Sequence, residues 1–474
     1  MRETFDPVLV EPHPRSVQRR AGVADCYARR MNTPTRSATV IGAGYVGLVT
    51  AVGLAGIGQQ VRLVEAAPRR LDALRQGRIP IHEAGLQEGF DAAVAAGRLA
   101  IHPVIPDDPG IVLVCVGTPI GEDGLSDLRQ IDSVLAELAP RLGPTDIVVI
   151  RSTLPVRGTR PAVVEAGLPT NRTFTNPEFL RQGTAVHDFA NPTRVVIGRF
   201  PDADADALDQ VLALYEPLGG PRLIVDVEAA EIIKNAANAF LALKLSFTNE
   251  VASLCEEAGA DVDEVLAGIG ADPRIGRTYM HPSFGFGGSC LPKELTTLAV
   301  AGRALGLPMH VTAAASAANL SAQDRFAERI ADAVGGLPGR TIGVLGLAFK
   351  AGTDDIRDSP AVRLARRLLE AGATVRAFDP AAGANAAAVL PDLEVVDDPE
   401  LVVRGADAVV IATEWPEFRV LPWERWIAEV DRPIVLDGRR LLDAGSLRSI
   451  GWTVIQLGDG RNRMPAEPAA VPGA

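Results

Sequence analysis

The stretch Thr39-Val40-Ile41-Gly42-Ala43-Gly44-Tyr45-Val46-Gly47 decides how this chain reads. An apolar run that ends in G-x-G-x-x-G and passes into a helix-forming segment is the strand–turn–helix start of a dinucleotide-binding βαβ unit. Gly42 permits the tight turn, Gly44 lets backbone approach a pyrophosphate, and Gly47 allows helix and strand to pack closely. The helix N-terminus, opening at Tyr45 and Val46, then faces the phosphates. Glu65 closes the next apolar run, 61–65. A carboxylate there bonds ribose hydroxyls and repels a 2′-phosphate, so the expected cofactor is NAD rather than NADP. Arg69 and Arg70 stand beside that strand end, where an arginine either stacks on adenine or accepts a phosphate.

Working outward, short apolar runs recur at 111–116, 147–150 and 194–197, separated by helical patterns. Such runs mark a parallel sheet buried on both faces. A long segment from about Val227, EAAEIIKNAANAFLALKLSFTNEVASLCEEAG, holds no Pro and no Gly until Gly259. It is apolar around most of its circumference, which predicts a helix buried in a large core or against a second subunit. After the turn 335–339 the strand-and-helix pattern returns, with strands expected at 341–345, 374–378, 407–412, 433–436 and 452–457. The fold class is therefore α/β, two Rossmann-like parallel-sheet domains joined by a long central helix and a helical dimerisation domain. The expected boundaries are a disordered leader over 1–36, a Rossmann domain over 37–226, a central helical domain over 227–334, a second Rossmann-like domain over 335–460 and a disordered tail over 461–474. Met31, just before the first strand, is a candidate alternative start.

Composition narrows the function. A formal net charge of -12 argues against a nucleic-acid surface. No apolar stretch is long enough to cross a bilayer, so no membrane partner is expected. Four dispersed cysteines without a CxxC pair argue against a disulfide framework and a zinc site, and they suit a reducing cytoplasm.

The chemistry concentrates in Gly285-Phe286-Gly287-Gly288-Ser289-Cys290-Leu291-Pro292-Lys293-Glu294. A cysteine in a glycine-rich loop is open to close approach by a substrate, and a cation such as Lys293 favours its thiolate. Packing alone would not call for those glycines, whereas Cys115 (strand), Cys255 (helix) and Cys26 (leader) read as structural. Lys234 and Asn238, four residues apart, share one face of the long helix. A lysine in that apolar setting is costly unless paired or functional, although snorkelling to solvent is its ordinary fate. Asn176-Pro177-Glu178-Phe179-Leu180 sets a carboxylate in a Pro-fixed turn.

Together these segments resemble the UDP-glucose/GDP-mannose dehydrogenase family across nearly all of 38–460. The resemblance rests on VIGAGYVGL (40–48), VGTP (116–119), RSTLP (151–155), NPEFLRQG (176–183), AAEIIKNAANAFLA (229–242), GFGGSCLPKE (285–294), GLAFKAGTDDIRDSP (346–360) and DGRR (437–440). It implies oxidation of a sugar's C6 alcohol to a carboxylate with two NAD per turnover, through a thiohemiacetal and thioester on Cys290. It further implies that Lys234 acts on the hydroxyl proton or the developing oxyanion, with Asn238 beside it. Glu178 would handle protons in the thioester steps and Thr153 would position water, while the base in each step stays open. Cofactor contacts implied are Arg70, Val116, Gly117, Thr118, Pro119, Ser152, Thr153 and Arg357. Substrate contacts implied are Glu178, Phe179, Leu180, Arg181, Lys234, Asn238, Arg274, His281, Phe284, Gly285, Phe286, Gly287, Lys350 and Arg439. A homodimer through the central helical domain is the expected assembly.

Glu294 stands where the family usually has Asp, moving a catalytic carboxylate about 1.5 Å outward. Gln182 replaces a common acid, and Glu65 a commoner Asp. Arg274-Ile275-Gly276 and Thr413-Glu414-Trp415 look like UDP-glucose members, whereas Leu291 and the Tyr279–Pro282 pattern also fit GDP-mannose members. UDP-glucose is the expected substrate. The alternatives are GDP-mannose, a UDP-N-acetylhexosamine, a one-hydride hydroxyacid dehydrogenase, or a binding homologue that has lost turnover through Glu294.

Overall fold

The computed structural model describes residues 8–10, 37–121 and 125–460. The expected leader thus lies outside the described residues except for Val8–Val10, a short strand, and the expected tail and Cys26 lie outside them as well. Contacts group the chain into two compact units, Met1–Ala237 and Asn238–Ala474.

In the first unit a nine-stranded sheet forms among the described residues. Its spatial order is Val8–Val10, Arg222–Asp226, Val195–Arg199, Thr173–Thr175, Ile147–Ile150, Ile111–Val114, Ser37–Ile41, Gln60–Val64 and Leu99–His102. All pairs are parallel except Thr173–Thr175 with Val195–Arg199 and Val8–Val10 with Arg222–Asp226. Ile111–Val114 and Ile147–Ile150, near its centre, are apolar without a break because both faces are covered. Leu113, Ile147 and Val149 enter the core that holds Leu48 and Val52 of helix Tyr45–Gly56. Val112, Val114, Val148 and Ile150 enter a second core with Ile131 and Leu135 of helix Arg129–Leu138. Each large aliphatic side chain so buried contributes about 1.5–3 kcal/mol. Ser37–Ile41 lies between Gln60–Val64 and Ile111–Val114, so the winding direction reverses there. A crevice at the carboxyl ends of the strands is the consequence.

The long helix is present as Val227–Ala258, and the division between units falls inside it, leaving Lys234 in the first and Asn238 in the second. The second unit continues with helices Val262–Gly270, Leu291–Ala304 and His310–Val334. It ends in a six-stranded sheet of order Glu394–Val395, Thr374–Phe378, Thr341–Leu345, Ala408–Ile411, Ile434–Asp437 and Thr453–Gln456, parallel throughout. Phe326, Ile330 and Val334 of helix His310–Val334 join the core of this sheet.

The tightest constraint sits at the first turn. A Cβ on Gly47 would lie 1.7 Å from the carbonyl oxygen of Gly42, and Gly42 itself has φ of +95°. Gly47→Ala should therefore push the helix off its strand, costing about 1–3 kcal/mol in urea unfolding and abolishing NAD binding in a fluorescence titration. A variant that binds NAD as the parent does would show that the close approach is dispensable.

Candidate active site

In the first unit the site is assembled at the carboxyl ends of the strands. No side chain caps helix Tyr45–Gly56, so its leading N–H groups face the turn, and a Cβ at Gly44 would meet nothing within 4 Å. The Glu65 carboxylate accepts from Ala43 N (3.1 Å), Ala67 N (2.7 Å) and Arg70 Nη1 (3.0 Å), which fixes it beside the turn. Arg70 is thus held on Glu65. The Tyr45 hydroxyl donates to Glu83, and burial, reinforced by that bond, raises its pKa. The next two loops are stitched together: Ser152 Oγ donates to Val116 O (2.7 Å) and Thr118 Oγ1 to Thr153 O (2.7 Å). These features fit NAD: an open glycine cradle, an uncapped helix end, and an acid at the end of the second strand. A 2′-phosphate would meet the Glu65 charge.

Glu178 and Lys234 form a buried ion pair, Nζ to Oε1 at 2.9 Å, with side chains 8% and 3% exposed. The second Glu178 oxygen accepts from Leu180 N (2.7 Å), which shapes the turn that follows Pro177. Burial alone would push the Glu178 carboxyl up. The Lys234 ammonium, the Leu180 N–H and the Arg151 charge outweigh it and hold the carboxyl below its ordinary range. Arg151 is itself buried and donates to Asn176 and to the Tyr215 hydroxyl, which in turn donates to Asn176 Oδ1 (2.7 Å). The Phe179 ring carries the Arg194 guanidinium at 3.8 Å and Lys234 Nζ at 5.5 Å. Arg181 points to the surface and grips Asp188 through two bonds of 2.9 and 2.6 Å.

In the second unit Cys290 caps helix Leu291–Ala304, and it is exposed. The loop before it is pinned. Gly288 N donates to Arg357 O (2.9 Å), a Cβ on Gly287 would lie 2.0 Å from Asp358 O, and one on Gly288 would lie 2.7 Å from the Phe349 ring. Asn319 clamps Phe286 from both sides, accepting from its N–H (2.9 Å) and donating to its carbonyl (3.0 Å). Arg357 is raised by its bond to Asp355 and further by the charge of Cys290, so a guanidinium sits in the field of the sulfur. The helix N-terminus adds positive potential at the same point. Ser289 Oγ stands 3.7 Å from Cys290 Sγ. Glu294 is buried and accepts from Asn238 Nδ2 (2.7 Å). The longer side chain thus already has an occupation on the long helix.

A second group of expected residues gathers around Arg439. Buried at 6% exposure, its Nε donates to Ala412 O (2.8 Å), and the guanidinium contacts Gly285 O (3.3 Å) and lies 5.0 Å over the Phe284 ring. Burial lowers its pKa, opposed by Glu414 and Asp437. His281 Nε2 bonds Arg439 O (2.9 Å). Lys350 lies 5.7 Å from the Phe349 ring. Arg274, by contrast, is exposed and turned onto Asp272 (2.6 Å). Cys115 and Cys255 are both buried, and burial pushes Cys115 up to about 11 and also raises Cys255.

Sequence reasoning passed over Glu83, Arg151, Glu231, Asn319 and Asp355. Glu83 accepts from Gly183 N (2.6 Å) and Ala185 N (2.8 Å) as well as from Tyr45. Glu231 accepts from Arg157 N (2.6 Å) and Thr159 N (2.7 Å). A carboxylate at position 231 among Ala and Ile of the long helix was a usable signal. For Asn319 the sequence holds none, since its partner lies 33 residues away in a loop.

Comparison with known proteins agrees with this architecture. Residues 36–219, 228–321 and 343–444 match, in turn, the NAD binding domain, the central domain and the UDP binding domain of the UDP-glucose/GDP-mannose dehydrogenase family. A UDP-glucose 6-dehydrogenase of Pseudomonas aeruginosa is 39% identical over 443 residues, covering 90% of this chain and 97% of that protein. One from Rhizobium meliloti is 38% identical over 435 residues, covering 89% and 99%. The solved structure of a UDP-glucose dehydrogenase from the archaeon Pyrobaculum islandicum superposes with a TM-score of 0.81 at 36% identity, covering 90% of this chain and 98% of that one. This chain belongs to the UDP-glucose/GDP-mannose dehydrogenase family and is an NAD-dependent oxidoreductase.

Proposed function

We propose that the chain oxidises the C6 alcohol of UDP-glucose to the carboxylate of UDP-glucuronate in two NAD-dependent steps, with Cys290 as covalent nucleophile. The observation that carries the nucleophile is the exposed Cys290 at a helix N-terminus, presented by glycines that Asp358 and Phe349 leave no room to replace. The similarity to named UDP-glucose 6-dehydrogenases supports the sugar. Bound NAD supplies the hydride acceptor for each oxidation. Lys234 takes the C6 hydroxyl proton or stabilises the oxygen as charge develops, with Asn238 beside it. Cys290 sulfur bonds the aldehyde carbon, whose oxygen takes a proton, to give a thiohemiacetal. Oxidation of that adduct leaves a thioester. Water oriented by Thr153 then adds to it, the C–S bond breaks, and the thiol returns to Cys290. Glu178 serves the proton transfers of the thioester steps, and Glu294 acts with Asn238.

The substrate contacts are Arg439, Lys350, His281 and the loop 284–287 of the second unit, with Phe179, Leu180, Arg181 and Arg274. NAD is held by the 42–47 turn, Glu65, Arg70, residues 116–119, Ser152, Thr153 and Arg357. The assembly is a homodimer through the central helical domain. Phe240, Phe247 and Leu254, spaced by seven residues on Val227–Ala258, are 62%, 53% and 67% exposed and form one apolar stripe. Among the described residues no helix is long and apolar enough to cross a membrane. Cys115, Cys255 and Cys290 are not joined in disulfides, which suits the reducing cytoplasm.

An NADH-release assay over a panel of nucleotide sugars should give two NADH per UDP-glucose. One NADH would contradict the two-step reaction, and a better response to GDP-mannose would reassign the sugar. Cys290→Ser should stop short of the carboxylate while Cys255→Ser stays near the parent rate. Carboxylate formed at the parent rate by Cys290→Ser would sink the covalent mechanism. Lys234→Met should cost about 3–5 kcal/mol near neutral pH, because it strands a buried carboxylate. In the parent, the depressed Glu178 pKa gives stability present above the unfolded pKa and lost as pH falls through the folded one. In Lys234→Met the unpaired carboxyl is raised instead, so the deficit in urea unfolding should narrow from pH 8 to pH 5. Phe247→Glu should convert a dimer to a monomer in sedimentation, and a monomeric parent would refute the dimer.

A further inference from the structure

Carrying an alcohol and one water to a carboxylate with two NAD as acceptors releases three protons. On the reading above, the first of them arrives on Lys234, which is only 2% exposed. A buried base that must reset within each turnover needs a route for its proton.

A cleft at the carboxyl ends of strands Ile147–Ile150 and Thr173–Thr175 adjoins Lys234 and is lined by Thr153, Thr159, Thr175 and Glu231. It has room for a water molecule. Thr159 and Thr175 are 0% and 5% exposed; the Thr175 hydroxyl closes no hydrogen bond within the protein, and the Thr159 hydroxyl leans only weakly on the Glu231 carboxylate. A buried hydroxyl without a partner costs about 1–3 kcal/mol, so Thr175, with an under-satisfied Thr159 on the same polar cleft, is poorly explained by packing. A hydroxyl both donates and accepts, which is what a water file requires of its walls. Glu231 stands three residues before Lys234 on the same helix and so on the same side of it. Its two oxygens each accept one backbone N–H, from Thr159 and Arg157, and each keeps acceptor capacity. Burial raises its carboxyl against the pull of Thr159 and those N–H groups, bringing it closer to taking up a proton.

We propose that this cleft is a hydration site in which ordered water, held by Thr159 and Thr175, links Lys234 to Glu231 and carries the substrate proton away from the base. The transfer is a relay of hydrons. An N–H bond of Lys234 breaks as a water O–H forms, that water passes another hydron to the Glu231 carboxylate, and the carboxyl releases it to solvent. Nothing is oxidised or reduced. The proposal rests on Lys234 acting as the base.

Crystals of the whole protein at high resolution should show water within hydrogen-bond distance of Thr159 Oγ1 and Thr175 Oγ1, and a dry cleft overturns the proposal. Thr175→Val and Thr159→Val, close in shape, should keep KM while lowering kcat about tenfold, with a larger solvent deuterium isotope effect. An unchanged kcat and isotope effect overturn the relay even if water is seen, and a raised Tm beside unchanged kcat marks the hydroxyls as merely unsatisfied. Where a valine variant loses stability as well, the isotope effect separates the two roles, since a loosened fold lowers kcat without raising it. Failure of the underlying reading looks different: Lys234→Ala would then keep its turnover while the water stayed in place.

Discussion

Parallel pairing is the constraint on which the rest depends. A parallel strand cannot return by a tight turn, so each one ends in a loop that leads into a crossover. In the first unit the carboxyl ends of Ser37–Ile41, Ile111–Val114, Ile147–Ile150 and Thr173–Thr175 give rise to the 42–47 turn, the 116–119 loop, Ser152–Thr153 and the Glu178 turn. Chemistry collects there because the loops are free to vary while both sheet faces are sealed. The second unit obeys the same rule, with Arg439 just beyond Ile434–Asp437 and the 346–360 segment beyond Thr341–Leu345.

Burial sets the energetic character of these groups. The Glu178–Lys234 pair and the Arg439 guanidinium are all withdrawn from water. Desolvation opposes each charge, and each survives because specific partners compensate it. Such a pair is costly as an element of stability when set against well-packed hydrocarbon. Its two coupled groups, held in a low dielectric, respond strongly to a charge arriving beside them.

Much of this was legible in the sequence, for physical reasons that differ by element. The turn at 42–47 could be read because each glycine answers a separate steric demand, and the long helix because the 32 residues of Val227–Ala258 carry no breaker. The strands Leu99–His102, Arg222–Asp226 and Glu394–Val395 escaped notice because each is short and only partly buried, with no more than three apolar residues in a row. Residue type and motif singled out Cys290, Lys234 and Glu178 as candidates. They could not give the local partners of the arginines: Arg181 rests on Asp188, Arg274 on Asp272 and Arg357 on Asp355. Nor could they give the partners of Glu231, whose bonds reach 72 and 74 residues back along the chain.

The exposure of Cys290 has a chemical consequence outside the sugar reaction. Oxidation of thiols follows accessibility, and Cys290 is the exposed one among the described cysteines. Cys115 and Cys255 are shielded by burial. Among the described cysteines, peroxide and electrophiles therefore meet one accessible thiol, and it is the one on which turnover would depend. On the proposed mechanism, the working lifetime of the protein in an oxidising medium would follow the lifetime of the Cys290 sulfur.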